Sequence, residues 1–295
     1  MTNLKIACIP AFNEEQMIRN VVNQTKKFVD QVIVCDDGSV DNTEKEATQA
    51  GAVVLRHEKN LGKGKAMKTL FEYAKSIKAD VVITIDGDGQ FLPEEIPTLI
   101  TPIISGTADI VIGYRFENNE EMPKYRKIGN KMFDKFTNLA SDLPFRDTQS
   151  GFRGYSKKAI ELIKISTSGF GVDSQILIDA ASNGLKISEK KITVIYNTGK
   201  STSTKNPILH SLDISTTIIE IIAIKHPLKF LGIPGIIFMI IGVVFGSIMI
   251  TIFNETRYFS VPSALIAMGT LTVGLLLLLM SVVLFSISRI SNKNS

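Results

Sequence analysis

The sequence predicts an α/β domain followed by a C-terminal segment that spans a membrane. From Leu4 to Tyr196 short apolar runs alternate with amphipathic helical stretches, and polar or glycine-rich residues follow each run. This alternation is typical of a parallel sheet with crossover helices. By contrast, the stretch from Phe230 to Ser288 carries only Glu255 and Arg257 as charged residues. The chain therefore combines a part that folds in water with a part suited to a lipid bilayer.

Four predicted strands and the loops after them order the first part of the chain. Each strand is a short run rich in β-branched residues, which favours a buried strand over a helical turn. The predicted strands cover Leu4–Ile9, Gln31–Cys35, Ala52–Leu55 and Val81–Ile85. The loops that follow them are PAFNEE (10–15), DDGSVDNT (36–43), KNLGKGKA (59–66) and DGDGQ (86–90). Because open α/β sheets bind ligands at the carboxyl ends of their strands, these loops are candidates for a binding site.

The loop after the fourth strand carries candidate metal ligands. Asp86, Asp88 and Gln90 place two carboxylates and an amide at the carboxyl end of this strand. Two carboxylates so close repel each other unless a cation lies between them, and all-oxygen ligands suit Mg²⁺ or Mn²⁺. The alternative is an acidic turn that only closes a strand, since Asp and Gly are common turn residues. These residues alone leave both interpretations open.

Composition excludes several classes of protein. The net charge of +4 without a dense basic stripe argues against a dedicated nucleic-acid binder. Cys8 and Cys35 each lie inside an apolar run and are predicted to be core residues in a reducing compartment. The segment Gly62–Lys65 lacks the spacing of a Walker A loop, although lysines at a glycine-rich helix start are able to hold an anion.

The four loops, taken together and in this order, resemble those of family-2 glycosyltransferases with the GT-A fold. The resemblance continues in VIGYRF (111–116), DTQSGFRGYS (147–156) and GFGVDSQIL (169–177). It most closely looks like the polyprenyl-phosphate branch, which is typified by dolichyl-phosphate mannose and glucose synthases. The resemblance implies a GT-A domain with a Rossmann-like mixed sheet, followed here by an interfacial helix and two transmembrane helices.

The resemblance also implies roles for individual residues. Asp86 and Asp88 match the metal-binding pair of the family, and Gln90 matches the third ligand or its neighbour. The implied nucleotide-sugar site consists of Pro10, Phe12 and Glu14 at the nucleobase, Asp37 near the ribose or base, and Lys63, Asp86 and Gly87.

Basic residues and one further acid complete the implied site. Arg115, Arg126 and Arg153 are expected to contact phosphate and to supplement the metal in offsetting negative charge. The polar loop Phe116–Lys124 resembles the acceptor loop of the family. Asp173 matches an acidic motif that carries the base in many related enzymes, but only a positioning or auxiliary role is expected for it. A phosphate acceptor has a second pKa of about 6 and is already mostly ionised at neutral pH.

The C-terminal third predicts a membrane anchor. The expected divisions are a transferase domain at 1–205, an amphipathic interfacial region at 206–229, a two-helix transmembrane hairpin at 230–289 and a tail at 290–295. Docking of the amphipathic helix against the spans is an equally good interpretation. Lysine and arginine flank the outer ends of the hairpin, whereas its turn carries Arg257 alone. The positive-inside rule therefore predicts a cell-membrane protein with two spans, whose catalytic domain and both termini are cytoplasmic.

The expected function is transfer of a hexose from GDP-mannose or a UDP-hexose to dolichyl or polyprenyl phosphate at the bilayer surface, by an inverting mechanism. A different glycan or glycolipid acceptor stays open, as does a non-catalytic membrane scaffold with a transferase fold. A processive polysaccharide synthase is excluded, because its QxxRW element needs a tryptophan and the chain has none. No nucleic-acid partner is expected, and whether the chain forms a homo-oligomer is left open.

Overall fold

The structure is a computed structural model that describes residues 3–115, 131, 134–135, 137–138, 141, 143–166, 171–195 and 227–293. The chain divides into two compact units, Met1–Ile218 and Ile219–Ser295. Each unit is described by itself. The predicted interfacial helix within 206–226 and the predicted acceptor loop at 116–124 lie outside the described residues.

The first unit is built on a seven-stranded mixed sheet. The strands are β1 Lys5–Ala11, β2 Gln31–Asp36, β3 Val53–Arg56, β4 Val81–Thr84, β5 Ile110–Tyr114, β6 Arg153–Ser156 and β7 Ile187–Lys191. Their order is β3-β2-β1-β4-β6-β5-β7. All neighbouring pairs are parallel except β6, which runs antiparallel to both β4 and β5. The expectation of a mixed, Rossmann-like sheet is confirmed.

Helices cover both faces of this sheet. They are α1 Ile18–Thr25, α2 Thr43–Gln49, α3 Lys63–Ser76, α4 Ile96–Ile104, α5 Lys157–Leu162 and α6 Val172–Ser182, with a short 3₁₀ turn at Pro93–Glu95. Along β1, Ile6 and Cys8 face the layer that contains α3, whereas Ala7 and Ile9 face the layer that contains α1. A strand buried on both faces needs apolar side chains at every position, which explains its unbroken apolar run.

The two cysteines lie in the core, as the sequence predicts. Cys8 and Cys35 are fully buried free thiols. Burial raises the pKa of both thiols, and that of Cys35 reaches about 12. Thiolates do not form at neutral pH under these conditions, so neither residue is suited to nucleophilic or metal-binding chemistry.

The second unit is a hairpin of two long apolar helices. A π-helical turn at Leu228–Gly232 leads into α7 at Ile233–Thr256, and α8 covers Val261–Lys293. The stretches Leu228–Thr256 and Val261–Ile287 are long and apolar enough to cross a membrane. The two predicted spans are therefore confirmed as helices.

Small residues let the two helices approach closely. A Cβ atom built on Gly274 would lie 2.8 Å from the backbone oxygen of Gly235, which leaves no room for a side chain at this crossing. Ser281 is 1% exposed and donates a hydrogen bond to the carbonyl of Pro227 at 3.2 Å. Small residues at a helix crossing and a satisfied hydroxyl are typical of helix packing in lipid.

Candidate active site

The loops after β1 and β2 are fastened to each other at the carboxyl edge of the sheet. Asn13 has a positive φ of 58°, a conformation that Asn tolerates better than most residues. Its backbone N–H donates to Ser39 Oγ at 2.9 Å, and its side-chain oxygen accepts from the N–H of Val40 at 3.0 Å. The N–H of Glu14 donates to Thr43 Oγ1 at 2.8 Å. These side-chain bonds hold both loops in one arrangement beside the end of β4.

The predicted nucleobase residues lie in this region. Pro10, Phe12 and Glu14 are each partly exposed at the end of β1. Gly87 lies next to the first of them, because a Cβ built on it would be 3.5 Å from the carbonyl oxygen of Pro10. Two of the residues expected at the nucleotide-sugar, Pro10 and Gly87, are therefore neighbours at the end of β1.

Asp37 has a different environment from the one expected near the ribose or base. Its Oδ1 lies 2.7 Å from His57 Nδ1 and accepts the N–H of Leu61 at 3.0 Å, while its Oδ2 accepts the N–H of Gly62 at 2.7 Å. Asp37 is only 3% exposed. Both carboxylate oxygens are therefore occupied within the protein, and Asp37 fixes the glycine-rich loop that leads into α3.

Lys63, the first residue of α3, bridges two acidic residues. Its Nζ lies 3.1 Å from Asp86 Oδ1 and 3.0 Å from Asp173 Oδ2. Burial by itself would lower the pKa of the Lys63 ammonium, but the charges of Asp173 and Asp86 outweigh burial and hold it above its usual value. Lys63 is thus charged at all physiological pH values. It connects the residue expected to bind metal with the residue expected to position the reactants.

The three predicted metal ligands come from one short turn. The carboxylate of Asp88 accepts the N–H of Gln90 at 3.0 Å, and Gln90 is 8% exposed, with its carbonyl bound to the N–H of Ile195 at 2.9 Å. Burial, with the charge of Asp86 next, raises the pKa of Asp88 to about 6. A buried carboxylate beside a second negative charge is stabilised by a nearby cation, so these oxygen donors fit a divalent ion.

Within the described ranges, no group of three or more His, Cys, Asp or Glu side chains is arranged to hold a metal. Any metal at this turn would therefore take its further ligands from the Gln90 amide, a substrate or water. Mg²⁺ commonly binds in this way, through one or two carboxylates together with substrate phosphates.

Binding of a divalent ion at this turn is expected to weaken in acid. Because the pKa of Asp88 is raised to about 6, a proton competes for the ligand below that pH. The apparent Mn²⁺ affinity should fall about tenfold for each pH unit below 6. In the metal-free protein, the same raised pKa stabilises the fold at low pH, and this contribution is lost as the pH rises through about 6. Mn²⁺ titration at pH 5, 6 and 7 checks this, and equal affinity at the three values would contradict it.

Gly151, in the DTQSGFRGYS segment, lies directly against the carboxylate of Asp86. A Cβ built on Gly151 would lie 2.6 Å from Asp86 Oδ1, and the carbonyl of Gly151 accepts a hydrogen bond from Thr84 Oγ1 at 2.8 Å. The glycine is thereby anchored against β4. Any side chain at position 151 must displace the carboxylate.

Gly151→Ala is expected to lower transfer activity about a hundredfold, because it displaces Asp86, an expected metal ligand. Gly184→Ala is a partial control. Gly184 also has no side chain, but its surroundings are open, so the fold and activity should change little beyond the strain of its positive φ. The measurements are transfer rate and Mn²⁺ affinity. A normal Mn²⁺ affinity in Gly151→Ala would show that Asp86 is not a ligand.

Two of the predicted phosphate-binding arginines bind protein groups instead. Arg115 makes a two-point ion pair with Asp147, with Nε–Oδ2 at 2.6 Å and Nη2–Oδ1 at 2.8 Å. Arg153 is fully buried and donates to the carbonyls of Asp173 at 2.8 Å and Thr148 at 2.7 Å. A buried guanidinium bound to the backbone does not reach a phosphate in solvent. The expectation for Arg153 is therefore corrected: it positions the start of α6 and with it Asp173.

Arg126 lies outside the described residues. Two residues near the site were not foreseen. Asp147 has no exposed surface and holds Arg115, and the sequence offered no signal beyond its place in the DTQSGFRGYS motif. The side chain of His57 is only 11% exposed and lies against Asp37 and Thr69. The pairing with Asp37 depends on the β2–β3 register, which sequence patterns do not fix.

Comparison with known proteins agrees with this geometry. The profile described as Glycosyl transferase family 2 matches residues 6–163. The chain is 36% identical over 211 residues to UDP-N-acetylglucosamine–dolichyl-phosphate N-acetylglucosaminyltransferase of Methanococcus voltae, covering 64% of this chain and 84% of that protein. It is 31% identical over 185 residues to dolichol-phosphate mannosyltransferase of Pyrococcus furiosus, covering 58% and 51%.

Among solved structures, glucosyl-3-phosphoglycerate synthase from Mycobacterium tuberculosis, in complex with Mn²⁺, UDP and phosphoglyceric acid, has a TM-score of 0.59. It is 21% identical, with 75% of this chain and 78% of that chain covered, so this likeness supports the GT-A fold alone. The resemblance read from the four loops is confirmed by the family profile. The chain therefore belongs to glycosyl transferase family 2 and is a glycosyltransferase of the branch that includes the dolichyl-phosphate transferases.

Proposed function

We propose that this chain transfers a sugar from a nucleoside diphosphate donor to the phosphate of a polyprenol or dolichol. The observation that carries the proposal is the cluster of Asp86, Asp88 and Lys63 at the carboxyl edge of the sheet. It combines acidic oxygens for a divalent ion with a fixed ammonium for a diphosphate. The relatives named for dolichyl-phosphate acceptors supply the acceptor class.

The donor side of the site follows from the same residues. Asp86, Asp88 and Gln90 would hold Mg²⁺ or Mn²⁺. Bound there, such an ion supplies Lewis-acid stabilisation of the charge that grows on the leaving diphosphate. Pro10, Phe12 and Glu14 flank the space beside Gly87 and are proposed to bind the nucleobase.

Lys63 adds a charge that is fixed before the reaction begins. An ammonium held by the surrounding structure needs little reorganisation as negative charge develops near it, which is the most effective form of electrostatic stabilisation. Asp173 accepts from Lys63 and is proposed to orient it rather than to remove a proton. The nucleophile is a phosphate oxygen that is ionised at neutral pH, so no general base is required. A direct attack of this kind inverts the configuration of the sugar.

The second unit accounts for the acceptor. Two helices long enough to cross a bilayer would keep the transferase domain where a polyprenyl phosphate presents its headgroup. We propose the divisions 1–205, 206–229, 230–289 and 290–295 for the transferase domain, interfacial region, hairpin and tail. Lys225 before the first span, Lys229 at its start and the basic residues after the second span favour a cytoplasmic domain and cytoplasmic termini.

The test is a donor panel. Membranes that contain the full chain are offered labelled GDP-mannose, UDP-glucose and UDP-N-acetylglucosamine with polyprenyl phosphate, in the presence and absence of Mn²⁺ or Mg²⁺. We expect one donor to give a lipid-linked, acid-labile sugar phosphate only when the divalent ion is present. Transfer to a glycan or glycolipid with none to lipid phosphate would contradict the proposed acceptor, and no transfer from any donor would favour a non-catalytic scaffold.

A further inference from the structure

We propose that Lys63 is a built-in counter-ion of the metal site, which competes with the divalent ion for Asp86 until a nucleoside diphosphate draws its ammonium away. The consequence is that the divalent ion and the diphosphate bind cooperatively, each weakly alone and tightly together. This inference rests on the proposed function for the location of the metal and the diphosphate. It adds that Lys63 weakens metal binding until the diphosphate is present, which the function itself does not require.

The first argument is the geometry of the ammonium. Nζ of Lys63 lies 3.1 Å from Asp86 and 3.0 Å from Asp173, and the Lys63 side chain is 15% exposed. One carboxylate oxygen of a predicted metal ligand is thus already in contact with a positive charge. A divalent ion at Asp86 must share that carboxylate with Lys63 or replace it, and either event costs free energy through the repulsion of like charges.

The second argument is that the fold delivers Lys63 to this place without a ligand. Gly62 precedes it with φ of 93°, a conformation that favours glycine. The carboxylate of Asp37 binds the N–H groups of Leu61 and Gly62, and His57 binds the same carboxylate. The first residue of α3 therefore has a fixed backbone position. The ammonium is consequently a permanent part of the site and does not need to be recruited by substrate.

The third argument is the balance of charge around the turn. Among the described residues, Asp86 and Asp173 contact the ammonium of Lys63, which also acts by its charge on Asp88, while the nearby charge of Arg115 is offset by its ion pair with Asp147. The acidic residues outnumber Lys63, so a divalent ion is still attracted, but less than it would be without Lys63. A diphosphate brings new negative charge beside the same ammonium. Lys63 then has a better partner than Asp86, and the obstacle to the metal is removed.

Reciprocal coupling follows from these three points. If the diphosphate strengthens metal binding by some factor, then the metal strengthens diphosphate binding by the same factor. A coupling of about tenfold is within the usual range for two sites joined by one charged group. Direct ligation of the ion by the diphosphate adds coupling of its own, so removing the ammonium should reduce the coupling without abolishing it. It should also make the divalent ion bind more tightly when it is alone.

The experiment measures free Mn²⁺ by electron paramagnetic resonance with the detergent-solubilised full chain. Titrations are made with and without saturating UDP or GDP, for the wild type, Lys63→Met and Lys65→Met. Lys65 is the matched control, because it lies in the same first turn of α3 and carries the same charge but its side chain is exposed to solvent. Lys63→Gln is a second neutral variant if the methionine variant unfolds, and Lys63→Arg tests whether charge alone suffices.

We expect the wild type and Lys65→Met to bind Mn²⁺ about tenfold more tightly with the diphosphate than without it. Lys63→Met should bind Mn²⁺ alone several-fold more tightly than the wild type, and the diphosphate should then strengthen its Mn²⁺ binding several-fold less than it does in the wild type. Lys63→Arg should retain the coupling.

The proposal is overturned if Lys63→Met and Lys63→Gln bind Mn²⁺ alone no more tightly than Lys65→Met, or if their coupling to the diphosphate is unchanged. Failure of the proposed function is a separate result. It is seen as the absence of lipid-linked product in the donor panel, whatever the Mn²⁺ titrations show.

Discussion

Asp88→Ala is expected to lower the rate of sugar transfer by about a hundredfold to a thousandfold, the usual loss when one group that stabilises developing charge is removed. Burial, with the charge of Asp86 next, raises the pKa of Asp88, so its carboxylate gains from a nearby cation. The variant should also lose most of its Mn²⁺ affinity. Its thermal stability should not fall, because an ionised carboxylate with a raised pKa opposes folding at neutral pH.

Glu94→Ala is the control for this result. Glu94 is an acidic residue a few positions further along the same segment, and its side chain is exposed. Its replacement should leave transfer and Mn²⁺ affinity near the wild-type values. If Asp88→Ala retains transfer within a few-fold of the wild type, the metal is bound elsewhere and the assignment of the turn is wrong.

Asp147→Asn is expected to destabilise the first unit by about 3–5 kcal/mol, the usual cost of breaking a buried ion pair from one side. Asp147 has no exposed surface, and its two oxygens bind Arg115 at 2.6 and 2.8 Å and also accept the backbone N–H of Arg115 at 3.1 Å. The amide keeps the shape of the side chain but removes its charge. In a domain of this size the loss corresponds to a fall in the thermal midpoint on the order of 10 °C.

Glu72→Gln is the matched comparison for Asp147→Asn. Glu72 forms an ion pair with Lys68 at 3.9 Å, and both side chains are largely exposed. Exposed pairs of this kind contribute about 0–1 kcal/mol, so this variant should melt within about 2 °C of the wild type. The measurement is thermal unfolding of the detergent-solubilised full chain. Equal midpoints for the two variants would show that the pair of Arg115 and Asp147 is not important for stability.

The acidic turn after β4 can be predicted from the sequence, because neighbouring residues in the chain specify it. A β-branched run followed by Asp86, Gly87 and Asp88 marks both the end of a strand and the place of the acidic side chains. Parallel strands then place the loops of β1, β2, β3 and β4 at one edge, since all four run in the same direction. This is why Lys63, more than twenty positions earlier in the sequence, lies beside Asp86.

The partners of buried polar groups could not be predicted in the same way. Arg153 lies in β6, whose residues RGYS show no apolar alternation, and its burial depends on pairing with strands far away in sequence. The carboxylate of Asp37 binds the backbone N–H groups of Leu61 and Gly62. Every residue except proline carries such a group, so the sequence gives no sign of this pairing. Patterns of side chains identify which residues are polar, whereas only the folded chain shows what each polar atom binds.

The reversed direction of β6 has a consequence for how this scaffold diversifies. Because Arg153 pairs with Thr84 and Ile112, the chain leaves the sheet after β5 and re-enters it through β6 at the same edge, above the turn of Asp86. Within this connection, residues 116–130 are an insert, whereas Asp134, Asp147 and Gly151 tie the following part to the rest of the domain. Such an insert can change in sequence or in length without changing which residues pair between the strands of the sheet. Selection for new acceptors would act on this insert, while the residues proposed to bind the donor stay unchanged.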